Sequence, residues 1–156
     1  FVYSNFNYCP LVWHFCSCKS LNKIEKIQER ALRLMLNDYD SNYTILLKKA
    51  NKPTMEVRRY RTLALEIFKT LNDLNPTYMR DIFLLNDRAS RRPNNLFVQN
   101  RNTMRYRDKS LRILGPRLWN ALPENIKSET NYNVFNNQIN KWFGPTCKCN
   151  LCSFEM

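Results

Sequence analysis

The sequence predicts a mostly helical protein that is interrupted by an irregular, basic middle containing a short β-ribbon. Apolar residues recur at three- and four-residue steps over several segments, which places them on one face of an α-helix. Between residues 86 and 112 this periodicity fades. The sequence is 44% hydrophobic, which is too apolar for a disordered chain. Its length of 156 residues is that of one domain, or of one domain and part of a second.

The first helix is predicted over residues 21–36. Ser20 is its expected N-cap, and Asn37 and Asp38 its expected stop. The basic residues Lys23, Lys26, Arg30 and Arg33 fall on the outer face. The inward stripe is predicted to be Leu21, Ile24, Ile27, Ala31, Leu34 and Met35.

A second long helix is predicted after Pro53 and Thr54, with a small helix over Tyr43–Ala50 before it. Asn75 and Pro76 are expected to end the long helix and to begin a short third one, with Pro76 at its first position. The apolar stripe of the long helix is Tyr60, Leu63, Ala64, Ile67, Phe68, Leu71 and Leu74, and that of the short helix is Tyr78, Met79, Ile82 and Phe83.

The middle of the chain is predicted to be loop around residues 88–95, because arginine, proline and asparagine cluster there. Residues 96–98 and 111–114 are candidates for the two strands of the β-ribbon. Gly115 and Pro116 are expected to break the chain after them.

A last helix is predicted over residues 130–143, with Gly144 as its C-terminal stop. Its expected inward residues are Val134, Phe135, Ile139, Trp142 and Phe143.

Positive charge is concentrated in the middle of the chain. Residues 41–80 hold eight basic and three acidic side chains, and residues 81–120 hold nine and three, so these eighty residues carry +11 of the total +12. Arginine forks pair with phosphate oxygens, and the interleaved Phe97, Tyr106 and Trp119 offer faces for stacking on unpaired bases. This pattern predicts binding of RNA or DNA, against the alternatives of a solvated surface with no partner and, less favoured, an acidic membrane surface. The predicted contacts are Arg58, Arg59, Arg61, Arg91, Arg92, Arg101, Arg105, Arg107, Lys109, Arg112 and Arg117.

No catalytic residue is predicted. The two glycines, Gly115 and Gly144, are too far apart for a phosphate cradle, and His14 is the single histidine. The sequence also lacks an Asp-Asp pair that could hold two catalytic metal ions.

The C-terminus carries a C-x-C-x2-C cluster of Cys147, Cys149 and Cys152. Thiolates at this spacing can reach one tetrahedral zinc ion, which needs four ligands. The fourth would come from the other end of the chain, where Cys9, His14, Cys16 and Cys18 lie. Zinc is therefore the one cofactor that the sequence suggests, and none is required. Because the local ligand set is incomplete, free or packed thiols are the favoured alternative.

Residues 1–16 are apolar and aromatic, but the run is too short and too broken to span a bilayer and lacks the basic start of a signal peptide. Because the chain begins with Phe1, we expect it to be part of a longer protein, and we expect no membrane partner.

Several phrases, in order, resemble a known family. They are SNFNYCPLVW (4–13), LNKIEKIQERALR (21–33), LALEIFKTLN (63–72), GPRLWNALP (115–123) and the closing cysteine cluster. Together they resemble the C-terminal part of the reverse transcriptase of non-LTR, LINE-type (jockey-like) retrotransposons, over essentially the whole chain.

The resemblance implies a thumb-like helical segment over residues 1–39, a basic helical extension over 40–146 and a Cys-rich tail over 147–156. It implies a non-catalytic portion of an RNA-directed DNA polymerase that grips template RNA and target DNA, with the upstream polymerase domain as a partner. The catalytic aromatic-x-Asp-Asp motif of the family is absent from this sequence. Reverse transcription at a chromosomal target would further imply access to the nucleus.

Two other functions stay open at this point. One is a degenerate retroelement remnant that acts only as a folded interaction scaffold. The other is a small zinc-stabilised module that binds nucleic acid.

Overall fold

Helices hold 74% of the residues that the computed structural model describes, which are 16–83, 95–96 and 111–142. None of these described residues forms a β-strand, so the predicted mostly helical class is confirmed. The chain divides into two compact units, Phe1–Arg59 and Tyr60–Met156. The predicted boundary after residue 39 lies within the first unit.

Helix α1 spans Cys18–Leu36. Ser17 is its N-cap, because the Ser17 hydroxyl accepts a hydrogen bond from the backbone N–H of Ser20 at 3.4 Å. The prediction of Ser20 as the cap was wrong by three residues. The predicted stop is confirmed, since Asn37 ends the helix in the left-handed conformation with φ of 49°.

The face of α1 that is buried differs from the predicted one. Leu21, Gln28 and Leu32 are buried. The residues predicted to face inward include Ile27, Leu34 and Met35, and all three are exposed. The prediction used hydrophobicity alone. It therefore missed polar side chains of α1 that face inward because they have hydrogen-bond partners elsewhere in the unit.

Helix α2 spans Tyr43–Ala50, as predicted, and packs on α1. Leu46 and Leu47 of α2 form a small apolar cluster with Leu32 of α1. Half-buried residues close this cluster: Leu36, Tyr43 and Ala50.

The Glu25 carboxylate joins α1 to both following helices. It accepts hydrogen bonds from the Tyr43 hydroxyl at 2.6 Å and from the backbone N–H groups of Glu56 at 2.9 Å and Met55 at 3.3 Å. These two N–H groups lie in the first turn of the next helix, where a negative charge is favourable. Gln28, one turn along α1, donates from Nε2 to the Pro53 carbonyl at 3.0 Å.

Helix α3 spans Met55–Leu71, and the division between the two units falls inside it. The Thr54 hydroxyl accepts from the backbone N–H of Val57 at 3.2 Å, which confirms the predicted start. Leu74 is exposed and lies beyond the end of the helix, so its place in the predicted stripe was wrong. Five residues of the predicted stripe are buried, as expected: Tyr60, Leu63, Ala64, Ile67 and Phe68.

A 3₁₀ helix spans Thr77–Ile82, where a short helix was predicted. Pro76 directly precedes it instead of occupying its first position. Phe83 is buried, as expected of the inward face, whereas Tyr78 is exposed.

Helix α4 spans Leu111–Ala121, which contradicts both the strand predicted over residues 111–114 and the break predicted at Gly115 and Pro116. Proline removes one N–H from a helical ladder, but both Gly115 and Pro116 are buried inside this helix. The prediction from local backbone preferences fails because burial of apolar side chains stabilises the helix by more than Gly and Pro destabilise it. The large apolar residues that α4 buries are Ile113, Leu114, Leu118 and Trp119. The other candidate strand, 96–98, lies mostly outside the described residues.

Two further helices lie in the described part of the second unit, α5 over Glu124–Lys127 and α6 over Tyr132–Lys141. Asn131 caps α6 by accepting from the N–H of Asn133 at 2.9 Å. Phe135 of α6 stacks on Phe68 with ring centroids 4.2 Å apart, and Trp119 lies 5.9 Å from Phe135.

The predicted inward face of this last helix is confirmed for Phe135, Ile139 and Trp142, which are buried. It was wrong for Val134, which is exposed. Phe143 and Gly144 lie outside the described residues.

Replacing Gly115 by alanine should destabilise the second unit. An added Cβ would lie 2.5 Å from Cε1 of Phe83 and 3.5 Å from Cδ1 of Ile67. Overpacking of this kind costs about 1–3 kcal/mol, partly offset by about 1 kcal/mol of higher helix propensity. Denaturant unfolding followed by circular dichroism measures the net loss. In a Phe83→Leu background the contacting ring atoms are gone, so Gly115→Ala should then be neutral or stabilising. The same loss in both backgrounds would contradict this assignment.

Replacing Glu25 by alanine should lower the free energy of unfolding on the order of 2 kcal/mol, because one hydroxyl and two N–H donors lose their acceptor. Glu29→Ala is the matched control, since it removes the same charge from the same helix. Within the described ranges, Glu29 pairs with the part-exposed Arg33 alone, so its loss should cost about 0.5 kcal/mol or less. Equal costs for the two variants would show that Glu25 has no special structural role.

Candidate nucleic-acid interface

Four cations form a row along the outside of α1. Lys19, Lys23, Lys26 and Arg30 follow each other at steps of four, three and four residues, which aligns them on one helix face. All four side chains are exposed. With a rise of about 1.5 Å per residue, the row covers about 16 Å of helix length. We call these four residues the cation row.

Acidic groups on α1 point away from this row or are neutralised. Glu25 faces inward to Tyr43 and α3. Glu29 pairs with Arg33 at 2.8 Å, and Arg33 also donates to the Tyr39 carbonyl. Arg33, which the sequence placed on the outer basic face, is therefore engaged within the unit. Among the described residues, none forms an ion pair with a member of the row, which leaves their charge available to a ligand.

Lys19 was missed by the sequence prediction, because the helix was expected to begin at residue 21. The spacing itself was the available signal, since Lys19 lies four residues before Lys23 and continues the same face.

The three predicted arginines of α3 are placed differently from the cation row. Arg58 is half-buried, whereas Arg59 and Arg61 are only 3% and 9% exposed. The Arg61 Nε donates to the Trp142 carbonyl at 2.8 Å, within the second unit. A buried guanidinium cannot grip a phosphate in solution, so we leave Arg59 and Arg61 out of the proposed contact surface.

On α4, Arg112 is exposed and Arg117 half-buried, and these two remain predicted contacts. The other predicted contacts lie outside the described residues: Arg91, Arg92, Arg101, Arg105, Arg107 and Lys109.

The predicted zinc ligands Cys147, Cys149 and Cys152 lie outside the described residues, as do Cys9 and His14. Of the remaining candidates, Cys16 is half-buried and Cys18 is exposed at the first residue of α1. Within the described ranges, no three His, Cys, Asp or Glu side chains group closely enough to hold a metal ion.

Leu96 is held in place by Asn120 of α4, a contact that the sequence does not predict. Asn120 accepts from the Leu96 N–H at 2.8 Å and donates to the Leu96 carbonyl at 2.9 Å. The buried Lys127 ammonium donates to Asn95 at 2.9 Å and pairs with Glu124 at 2.7 Å. The predicted contacts therefore fall on either side of an anchored, buried residue.

Asp38 organises the turn between α1 and α2. Its carboxylate accepts hydrogen bonds from the Lys49 ammonium, from the Ser41 hydroxyl at 2.7 Å and from the Ser41 backbone N–H at 3.0 Å. The Lys49 ammonium first, and the Ser41 donors second, hold the pKa of Asp38 well below its usual value. Lys49 is thereby engaged in the turn, in contrast to the members of the cation row.

Over the described part of the chain, no helix combines the length and the apolar composition needed to cross a bilayer.

In comparison with known proteins, the chain matches no family model, no curated protein and no solved structure.

Replacing Asp38 by asparagine should destabilise the protein in a pH-dependent way. Because the pKa of Asp38 is lowered on folding, its contribution is fully present above the ordinary carboxyl pKa of about 3.9 and is lost as the pH falls toward the folded-state pKa. The difference in unfolding free energy between the native chain and Asp38→Asn should thus be present at neutral pH and shrink below about pH 4. In a Lys49→Gln background this difference should be smaller at neutral pH. A difference that is constant with pH would contradict the assignment.

Proposed function

We propose that this chain is a non-catalytic, nucleic-acid-binding portion of a retrotransposon RNA-directed DNA polymerase, and that it grips RNA or DNA through phosphate contacts. The observation that carries the binding proposal is the cation row of α1. Four exposed cations share one rigid face, and the acidic side chains of the same helix are turned inward or paired.

A cation row of this kind suits a phosphate backbone. Lysine and arginine that neutralise phosphates release condensed counterions, so binding weakens steeply as salt rises. Such contacts fix orientation on the backbone without reading bases. We therefore expect weak sequence preference and strong salt dependence.

The polymerase part of the proposal is supported by the resemblance of the ordered phrases. In the 115–123 phrase, Gly115 admits the Phe83 ring, Trp119 packs near Phe135 and Asn120 holds Leu96. Structural packing thus accounts for these residue types, and none of the three supplies a catalytic group.

The test is a binding titration of the 156-residue chain with a labelled RNA hairpin and with an RNA–DNA hybrid of the same sequence, at about 50 to 200 mM salt. Lys23→Gln/Lys26→Gln removes two charges from the row. This double variant should weaken binding. It should also reduce the steepness of the plot of log association constant against log salt concentration by about two, since each phosphate contact on a duplex contributes about 0.9 to that slope.

The matched control is Lys48→Gln/Lys52→Gln, which removes two exposed charges near the end of α2 in the same unit. Its slope should stay close to that of the unmodified chain. If both double variants reduce the slope equally, general charge is responsible and the cation row is not the site. A slope near zero for the unmodified chain would remove the nucleic-acid proposal altogether.

A further inference from the structure

Helix α1 carries a second apolar stripe that the structure leaves largely uncovered. Ile24, Ile27, Ala31, Leu34 and Met35 follow at helical steps. Ile27, Leu34 and Met35 are 44%, 70% and 61% exposed, and Ile24 and Ala31 are half-buried. We call these five residues the apolar stripe.

The apolar stripe is distinct from the face that α1 uses inside its own unit. That inner face holds Leu21, Glu25, Gln28 and Leu32, of which two are polar and hydrogen-bonded. A surface helix ordinarily turns its most apolar stripe toward the core. Here the stripe lies to one side of the core, and contiguous exposed apolar surface of this kind marks an interaction site.

The cation row borders the apolar stripe along one edge. Lys23 lies four residues before Ile27, and Arg30 lies four residues before Leu34, so these pairs are neighbours on the helix surface. On the opposite edge, Ile24 lies four residues before the buried Gln28, so this edge adjoins the inner face of α1. A ligand that covers the stripe therefore meets positive charge on one side only.

We propose that the apolar stripe is the docking site for an amphipathic helix of a partner protein, with acidic residues along the edge that meets the cation row. Such a helix would lie along α1, place its apolar residues against Ile27 and Leu34, and pair its carboxylates with Lys23 and Arg30. The charge complementarity selects this occupant. The docking needs no nucleic acid, but it uses two cations of the row, so the partner helix would compete with the phosphate contacts proposed above.

Two other occupants fit the charges less well. A second copy that packed its own stripe antiparallel on this one would bring the two cation rows together, and like charges at that distance repel. An acidic lipid surface would favour cations on both edges of the stripe, whereas one edge here adjoins the buried inner face of α1.

The test uses a labelled synthetic helix with leucine at helical spacing and glutamate along one edge, titrated with the 156-residue chain by fluorescence anisotropy. A peptide with the same leucines and lysine in place of glutamate is the matched probe. The acidic peptide should bind, and the basic one at least about ten-fold more weakly, because it faces the cation row.

Ile27→Ser/Leu34→Ser should weaken the acidic peptide by about ten-fold or more, since these two residues are the apolar anchors. Both side chains are exposed, so circular dichroism should show an unchanged fold. Leu74→Ser/Val134→Ser removes two exposed apolar side chains from the other unit and should leave the affinity unchanged.

Three outcomes would overturn the proposal. One is failure of the acidic peptide to bind, and another is equal binding of the two peptides. The third is that Ile27→Ser/Leu34→Ser abolishes self-association in sedimentation, or binding to phosphatidylserine vesicles, without affecting the acidic peptide.

Discussion

The hydrogen bonds of the Glu25 carboxylate determine which way α1 faces. One side chain accepts from the Tyr43 hydroxyl of α2 and from two backbone N–H groups in the first turn of α3. Hydrogen bonds to an ionised acceptor are stronger than neutral ones, and the helix N-terminus adds a favourable field. With Glu25 turned inward, the cation row lies on the opposite side of the helix, in solvent. The apolar stripe, roughly a quarter turn away, is then left largely outside the core.

Local signals predicted the end of α1 and the start of α3, because helix ends are set by residues close in sequence. Asn37 adopts the left-handed conformation at the end of α1, and Thr54 caps the start of α3. The buried face of α1 could not be predicted in the same way. Its polar residues find their partners between 18 and 31 positions away, and a hydrophobic periodicity contains no information about those contacts.

The same distinction explains the error at α4. Gly115 and Pro116 are breakers when judged by their own backbone preferences. In the fold, the missing side chain of Gly115 makes room for the Phe83 ring, and four large apolar residues of α4 are buried. Burial of each such side chain is worth about 1.5–3 kcal/mol, so the four together exceed the roughly 4 kcal/mol that one glycine and one proline cost inside a helix. Of the candidate interface, the sequence placed Lys23, Lys26 and Arg30 on the outer face of α1, but it could not tell that Arg59 and Arg61 are buried.

Cations and apolar residues on one face of α1 are chemically compatible, because lysine and arginine have long apolar stems. Neighbours at i and i+4 have their Cβ atoms about 5–6 Å apart, so the stem of Lys23 can lie over the same surface as Ile27 while its ammonium stays in water. A phosphate backbone would engage only the ammonium and guanidinium ends of such a surface. An acidic helix would also desolvate the stems and the branched side chains between them. Both ligands thus use the cations of α1, but only the acidic helix also needs the apolar side chains, so substitutions in the apolar stripe should weaken the acidic helix alone.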